Sequence, residues 1–424
     1  MDIISSLQRQ LQSLQDRIKE LESENSKLSV QLSNCHCQKS KGNVEATPVL
    51  KEIERLKLVG DGGENNSKET SPGPEMRMPP RFHRRYVALK IMYFGQRFYG
   101  FASEAQMDPT IESEIFKALK KTRLIVGVDK KEMQYSRCGR TDKGVSSVGQ
   151  VIALFLRSKQ METSGREEID YVGILNKVLP NDIRVMGWCP APNDLSARFS
   201  CLSRVYKYFF WRDNLNTQAM ETAGKKFVGE HDFRNFCKMD ASNVHNYRRR
   251  VMLFEIMPCS ESFGGDDLWV MKIKGSAFLW HQIRCMAAIL FFIGQGLESP
   301  NIIDMLLDVE NMPRKPQYKM APEIPLVLQS CEFEGLRFIC SSGAKQALCE
   351  HLKKECRSYK LQSAIFHEAL QNCFFTEADG LLKNDRIKRR EPVHVPIMSR
   401  PTEPSYEERR AKFKSAAEHK SRNS

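Results

Sequence analysis

The sequence predicts an α+β protein: two similar α/β halves with largely antiparallel sheets, preceded by an N-terminal coiled coil. Three observations carry this. A heptad runs unbroken through the first 33 residues, a polar stretch with clustered Gly and Pro follows, and beyond it strand-like and helix-like runs alternate twice over.

The heptad places Ile4, Leu11, Ile18, Asn25 and Leu32 at a positions and Leu7, Leu14, Leu21 and Leu28 at d positions. An all-Leu d seam with a single Asn at a favours a parallel two-stranded coil, because facing Asn side chains hydrogen-bond only in register. Residues 1–33 therefore read as a coiled coil. Residues 34–80 contain Gly60-Asp61-Gly62-Gly63 and Ser71-Pro72-Gly73-Pro74, cannot bury a core, and read as a disordered linker.

The body divides into 81–212 and 213–342. Strands are expected over Tyr86–Phe94, Ile183–Trp188, Ser203–Trp211, Val251–Met257 and Leu268–Ile273, the last two joined through Gly264-Gly265-Asp266-Asp267. Thr110 is the N-cap of a helix with Ile111, Ile115 and Leu119 on one face. A second helix over Asp170–Leu179 stops at Pro180, and a third spans His281–Ile293. Residues 343–424 read as a helical extension over Gln346–Asn372 and a basic tail.

Lys and Arg total 65 against 52 Asp and Glu, a formal net charge of +13. Charge alone divides evenly between a polyanionic partner and an ordinary basic protein. The 13 cysteines are irregularly spaced behind no secretory leader, so they read as reduced thiols. Cys35-His36-Cys37 has no second Cys/His pair at zinc-finger spacing, so no metal is expected there. The longest apolar run, Cys285–Ile293, is far short of the roughly 20 residues a membrane span needs, so no membrane is expected.

The chemistry concentrates in Ser136-Arg137-Cys138-Gly139-Arg140-Thr141-Asp142-Lys143-Gly144-Val145-Ser146, where two glycines and three nearby cations shape a loop around one carboxylate. On pattern alone a solvated Arg–Asp surface loop is the favoured reading. The stretch resembles the signature loop of the TruA-type tRNA pseudouridine synthases. Further segments resemble that family in its own order: Tyr93-Phe94-Gly95 with Tyr99-Gly100-Phe101, Thr110-Ile111-Glu112, Leu179–Ile183, Ser196–Ser200, Arg204–Tyr208, Gly229–Phe233 and Ala277–Arg284. Phe101-Ala102, Cys138, Lys143 and Ile289–Gly296 are similar to the eukaryotic branch acting on uridines 38 and 39 of tRNA. Pro396–Pro401 with Glu407-Glu408-Arg409 resembles the family's C-terminal motif.

The resemblance implies a pseudouridine-synthase cleft between the halves. It makes Asp142 the catalytic nucleophile on a flipped-out uridine. Arg140 would hold the flipped nucleotide, Tyr206 would stack on uracil and move protons, and Arg284 would be the cation paired with the carboxylate. His231 and His281 are assigned structural roles. The isomerisation has no net redox change and hydrolyses nothing, so no cofactor or metal is expected. tRNA is the expected partner, with Arg81, Arg84 and Arg85, Lys225 and Lys226, and Arg248–Arg250 as candidates for its backbone track. A homodimer is expected, in the nucleus and/or cytoplasm, with Lys388-Arg389-Arg390 favouring the nucleus. The competing readings are a non-catalytic dimeric RNA-binding protein, a synthase with other RNA substrates, and a coiled-coil adaptor with an unrelated body.

The heptad generates the first prediction. Deleting residues 1–33 weakens self-association at low protein concentration but leaves turnover on saturating RNA intact. Asn25→Leu produces higher-order species by light scattering. An isolated 1–33 segment that stays unfolded and monomeric at high micromolar concentration would overturn this reading.

Overall fold

The computed structural model describes residues 83–103, 107–127, 129–159, 168–259, 267–373 and 394–422, with isolated positions 12, 16 and 23. The heptad, the linker, the Cys35–Cys37 cluster, most of the Gly264–Asp267 turn and Lys388–Arg390 lie outside these residues. The chain divides into two compact units, Met1–Met78 and Pro79–Ser424. The second unit holds everything described below.

In chain order it contains β1 (Arg84–Tyr93), α1 (Ile111–Lys121), β2 (Ser136–Arg137), β3 (Ser146–Arg157), α2 (Tyr171–Asn176), β4 (Ile183–Pro190), β5 (Cys201–Trp211), α3 (Thr217–Lys225) and β6 (Gly229–Asp232). Then come β7 (Arg248–Pro258), β8 (Leu268–Gly275), α4 (Gln282–Gly294), α5 (Ile302–Leu307), β9 (Leu326–Phe333), α6 (Ser342–Asn372) and α7 (Tyr406–Arg422). Strands form one sheet in the order β4-β1-β3-β9-β5-β8-β7-β6, with β2 also pairing with β3. The largely antiparallel character expected from the sequence holds, and the strands form a single continuous sheet. The exception to antiparallel pairing is the β3–β9 contact, where Ser146 pairs with Val327 and Ser147 with Leu328.

β3, β6 and β9 were not anticipated. β3 opens on Ser146-Ser147-Val148-Gly149-Gln150, a polar start that hides a buried strand. Its polar groups are paired: the Ser147 hydroxyl donates to the Leu328 carbonyl at 2.9 Å. Gly149 leaves room for β9, since a Cβ there would lie 2.7 Å from Ser330 Cα and closer still to Gln329.

β1 is buried on both faces. Val87, Leu89 and Ile91 join α1 and α2 in one core, whereas Tyr86 and Ala88 face a small cluster on the other side. The other half of the sheet buries β5, β7 and β8 beneath α3, α4 and α5. The apolar run Cys285–Ile293 lies almost wholly within that core as α4. Among the described residues no helix is long and apolar enough to cross a membrane. α6 begins at the Ser341 N-cap and buries only Ala344 and Leu348.

The C-terminal segment returns to the body. Ile397 is fully buried, its N–H and the His394 ring bond to Glu298 at 2.6 and 2.9 Å, and Tyr406 packs on Tyr247.

Thr110 caps α1 in a reciprocal pair with Ser113. Next to it Glu112 is fully buried. Its carboxylate meets Arg137 at 2.6 Å and Lys130 at 2.7 Å, and accepts the Ser103 N–H at 2.8 Å. Burial alone would raise this carboxyl, but the Lys130 hydrogen bond and the Arg137 charge outweigh it and hold it below its usual value. A depressed carboxyl stabilises the fold above its unfolded-state value, near pH 4.3, and loses that contribution as pH falls through the folded value. Glu112→Ala removes a buried carboxylate that accepts from Lys130, Arg137 and the Ser103 N–H, so denaturant unfolding at pH 7 shows a loss of about 3 kcal/mol. That loss shrinks as the pH is lowered below about 4.

Candidate active site

The loop between β2 and β3 stands at the parallel joint of the sheet, where β3 begins. Gln150, fully buried, clamps its entry: the side chain accepts from the Gly139 N–H at 3.2 Å and donates to the Gly139 carbonyl at 2.9 Å. Thr141 is buried and shares a 2.8 Å hydrogen bond with the Tyr93 hydroxyl. Phe101 N–H donates to the Thr141 carbonyl. Gly100, at φ +94°, packs against Thr141 and Asp142, where a Cβ would sit 2.7 Å from the Thr141 carbonyl oxygen. Gly144, at φ +81°, is the loop glycine that needs its left-handed backbone, and its missing side chain admits Glu323.

These contacts hold Asp142 with its side chain 22% exposed. Trp280 Nε1 donates to Oδ1 at 3.1 Å, and His281 Nε2 lies 3.5 Å from Oδ2. Both belong to the turn before α4. Buried Gln282 closes that turn by accepting the Leu279 N–H at 2.8 Å. His281 itself sits at φ +61°, a conformation costing a non-glycine residue roughly 1–2 kcal/mol. Burial and the nearby Arg284 and Lys238 push His281 down to about 4, so its ring is neutral at pH 7. The contact with Asp142 is therefore not an ion pair.

Arg284 is buried on the first turn of α4. Its Nη2 pairs with Glu323 at 2.7 Å and its Nε donates to the Ala321 carbonyl at 2.8 Å. Its action on Asp142 is through charge rather than a hydrogen bond. The Asp142 carboxyl lies above its usual value, because burial and Glu323 outweigh Arg284, the Trp280 hydrogen bond and Lys238.

Tyr206 is on β5 at a register shift next to Val205, a local bulge that re-aims the side chain. Its ring meets Phe278 edge-on at 5.3 Å. Burial, with Cys331, Tyr93, Cys138 and Asp142 nearby, keeps its hydroxyl protonated. Arg140 is exposed on the loop. Asp142, Arg284 and Tyr206 thus share one electrostatic environment. Lys238 lies over Trp280 at 4.3 Å, and Lys143 over Tyr99 at 4.6 Å. His231 is elsewhere, on edge strand β6, bonded to the Val228 carbonyl.

Sequence reasoning did not select Trp280, Glu323 or Lys238, and it set His281 aside. Trp280 and His281 lay inside the Ala277–Arg284 segment. Glu323 had no such signal; only folding brings it under Gly144. Several cations of the expected RNA track are engaged with carboxylates: Arg85 with Glu168, Lys225 with Glu221, Lys226 with Asp304 and Arg248 with Glu230. Arg250 is exposed.

A family model described as tRNA pseudouridine synthase matches residues 223–334. The chain is 42% identical over 346 residues to a bovine (Bos taurus) tRNA pseudouridine(38/39) synthase, covering 76% of this chain and 72% of that protein. The chain belongs to the tRNA pseudouridine synthase family. The human (Homo sapiens) protein of the same name is 45% identical over 68% of this chain and 64% of its own length. The Saccharomyces cerevisiae one is 42% identical, at 63% of each. The chain thus spans about two thirds of these relatives. Among solved structures, an archaeal box H/ACA sRNP Nop10–Cbf5 complex matches at TM-score 0.23 and 12% identity, over 48% of this chain and 44% of that one. That likeness is too slight to carry an argument. The matched segment 223–334 includes Trp280, His281, Arg284 and Glu323, whereas Asp142 and Tyr206 precede it.

The charges around Asp142 yield a paired prediction on the acid limb of the pH–activity profile. Arg284→Met removes a charge that lowers the carboxyl, so the limb moves to higher pH. Glu323→Gln removes a charge that raises it, so the limb moves to lower pH. Shifts of equal sign would contradict this electrostatic arrangement.

Proposed function

We propose that this chain isomerises uridine to pseudouridine in the anticodon stem-loop of tRNA, at positions 38 and 39, with Asp142 as the carboxylate that attacks the nucleoside. The observation that carries this is Asp142 itself. It is a partly buried carboxylate on a loop clamped by Gln150 and Thr141, approached by the Trp280 N–H and the charge of Arg284. Its neighbours hold it in position without neutralising it. The names of the bovine, human and yeast relatives support the substrate and the two positions.

The reaction breaks the N1–C1′ bond of a uridine and joins C1′ to C5 of the same uracil, and the C5 proton is then lost while N1 gains one. Asp142 acts at the sugar, as nucleophile or as base. The base must leave its stack to reach a partly buried carboxylate. Tyr206, protonated and held against Phe278, offers a ring to stack on uracil and a hydroxyl for proton transfer. Arg140 and Lys143 on the loop, with exposed Arg198, Lys238 and Arg250, supply cations for the phosphate backbone. Substrate choice then rests mainly on RNA shape.

We extend the proposal to the rest of the chain. The heptad at 1–33 pairs two copies, the linker 34–80 joins it to a body of two related halves flanking the cleft, and residues 343–424 add a helical extension and a basic tail. Lys388-Arg389-Arg390 directs the protein to the nucleus.

Asp142→Asn tests the assignment. The change keeps side-chain size and removes the charge, so pseudouridine formation in an anticodon stem-loop falls to background. Filter-binding affinity stays within a few-fold, because many phosphate contacts carry it. Clear residual turnover would remove Asp142 from the nucleophile role.

A further inference from the structure

The sulfurs of Cys138, Cys201 and Cys331 lie within 4.8 Å of one another. Among the described residues this is the one group of three His, Cys, Asp or Glu side chains gathered closely enough to share an ion. The three thiols come from three parts of the chain: the entry of the Asp142 loop, the start of β5, and β9. Cys138 and Cys201 are buried and Cys331 is half-buried.

We propose that these three thiols form a binding site for a soft divalent d10 cation of the zinc class, which fastens the Asp142 loop to the central strands. The geometry suits such an ion. With metal–sulfur bonds of about 2.3 Å, sulfurs sharing a zinc-class ion are about 3.8–4 Å apart, so the cluster closes onto one by side-chain movements under about 1 Å. Thiolates also select this class of cation over oxygen-preferring magnesium and calcium.

Charge favours the site as well. Binding releases a proton from each thiol not already ionised. Three thiolates and one divalent cation leave a net charge of −1, next to the +1 of Arg204. The Arg204 guanidinium donates to the Cys138 carbonyl at 3.0 Å and to the Cys201 carbonyl at 3.4 Å, and its charge is felt by all three sulfurs. The same guanidinium reaches the carbonyls of Ser276 at 2.5 Å and Arg198 at 2.7 Å. It is therefore fixed before any ion arrives. Cys138 has its own anchor, an N–H donated to the Val151 carbonyl at 2.8 Å. The ion would add a cross-link four residues before Asp142 and take no part in the isomerisation.

The test uses the full chain, reduced, with Cys35 and Cys37 changed to Ser to remove the Cys-His-Cys segment. Cd2+ is titrated and followed by its ultraviolet thiolate-to-metal charge-transfer band. One equivalent binds per chain in the low-micromolar range, raises the thermal midpoint, and is displaced by Zn2+ with loss of the band. Cys138→Ala, Cys201→Ala and Cys331→Ala each weaken binding at least tenfold, whereas Cys349→Ser with Cys356→Ser does not. Because a core substitution can unfold the chain, alkylation is mapped by mass spectrometry in the same background without core changes. Cd2+ protects Cys138, Cys201 and Cys331 together. Unweakened Cd2+ binding in any of the three alanine variants, or unchanged alkylation of the three thiols, overturns the proposal.

Discussion

Two register pairs, Ser146 with Val327 and Ser147 with Leu328, join the halves of the sheet, and the placement of the site follows from them. Every other strand contact in the sheet is antiparallel. This one sets where β3 begins, and the loop carrying Asp142 ends where β3 begins. The joint is short because β2 takes the same edge of β3 at Ile152 and Ala153, and it is tight because Gly149 lets β9 approach the backbone. Ser147 and Gln150, polar and fully buried, are tolerated there because each is hydrogen-bonded: the Leu328 carbonyl and the Gly149 N–H for the hydroxyl, and the Gly139 backbone for the amide.

The electrostatics around Asp142 are layered on that frame. Arg284 is held by Glu323 and the Ala321 carbonyl, so its charge is present at a fixed position whether or not a substrate is bound. A direct ion pair with Asp142 would have held the carboxylate in place but blunted it. Sharing Arg284 with Glu323 leaves Asp142 one hydrogen bond, from Trp280, and a free oxygen beside a neutral imidazole. A reacting carboxylate needs that combination of fixed position and incomplete satisfaction.

Much of the second unit was legible from periodicity and capping. Thr110 caps a helix where its side chain announced it, and the apolar run from Cys285 became a buried helix. The illegible parts share a cause. β3 and β9 are specified by partners far away in the chain, so Ser147, Gly149 and Gln150 look like loop residues until Leu328 and Gln329 lie against them. Glu323 was invisible for the same reason. Asp142, Arg140, Tyr206 and Arg284 were legible only through resemblance: a carboxylate between two cations has many structural uses, and a strand tyrosine is more often core than catalyst. The heptad was the clearest periodic signal in the sequence, but it belongs to the other unit.

The position of β9 also has a meaning in time. It lies at the centre of the sheet but is made late, after roughly 170 residues have followed β3, which takes about ten to thirty seconds at ordinary synthesis rates. During that interval the inner edge of β5, and that of β3 before the β2 pairing at Ile152, have no partner, and each offers unpaired backbone groups. The nascent protein thus carries a self-association hazard along the seam beside which Asp142 comes to lie. The arrival of a single eight-residue strand ends that hazard and completes the sheet around the Asp142 loop in one event.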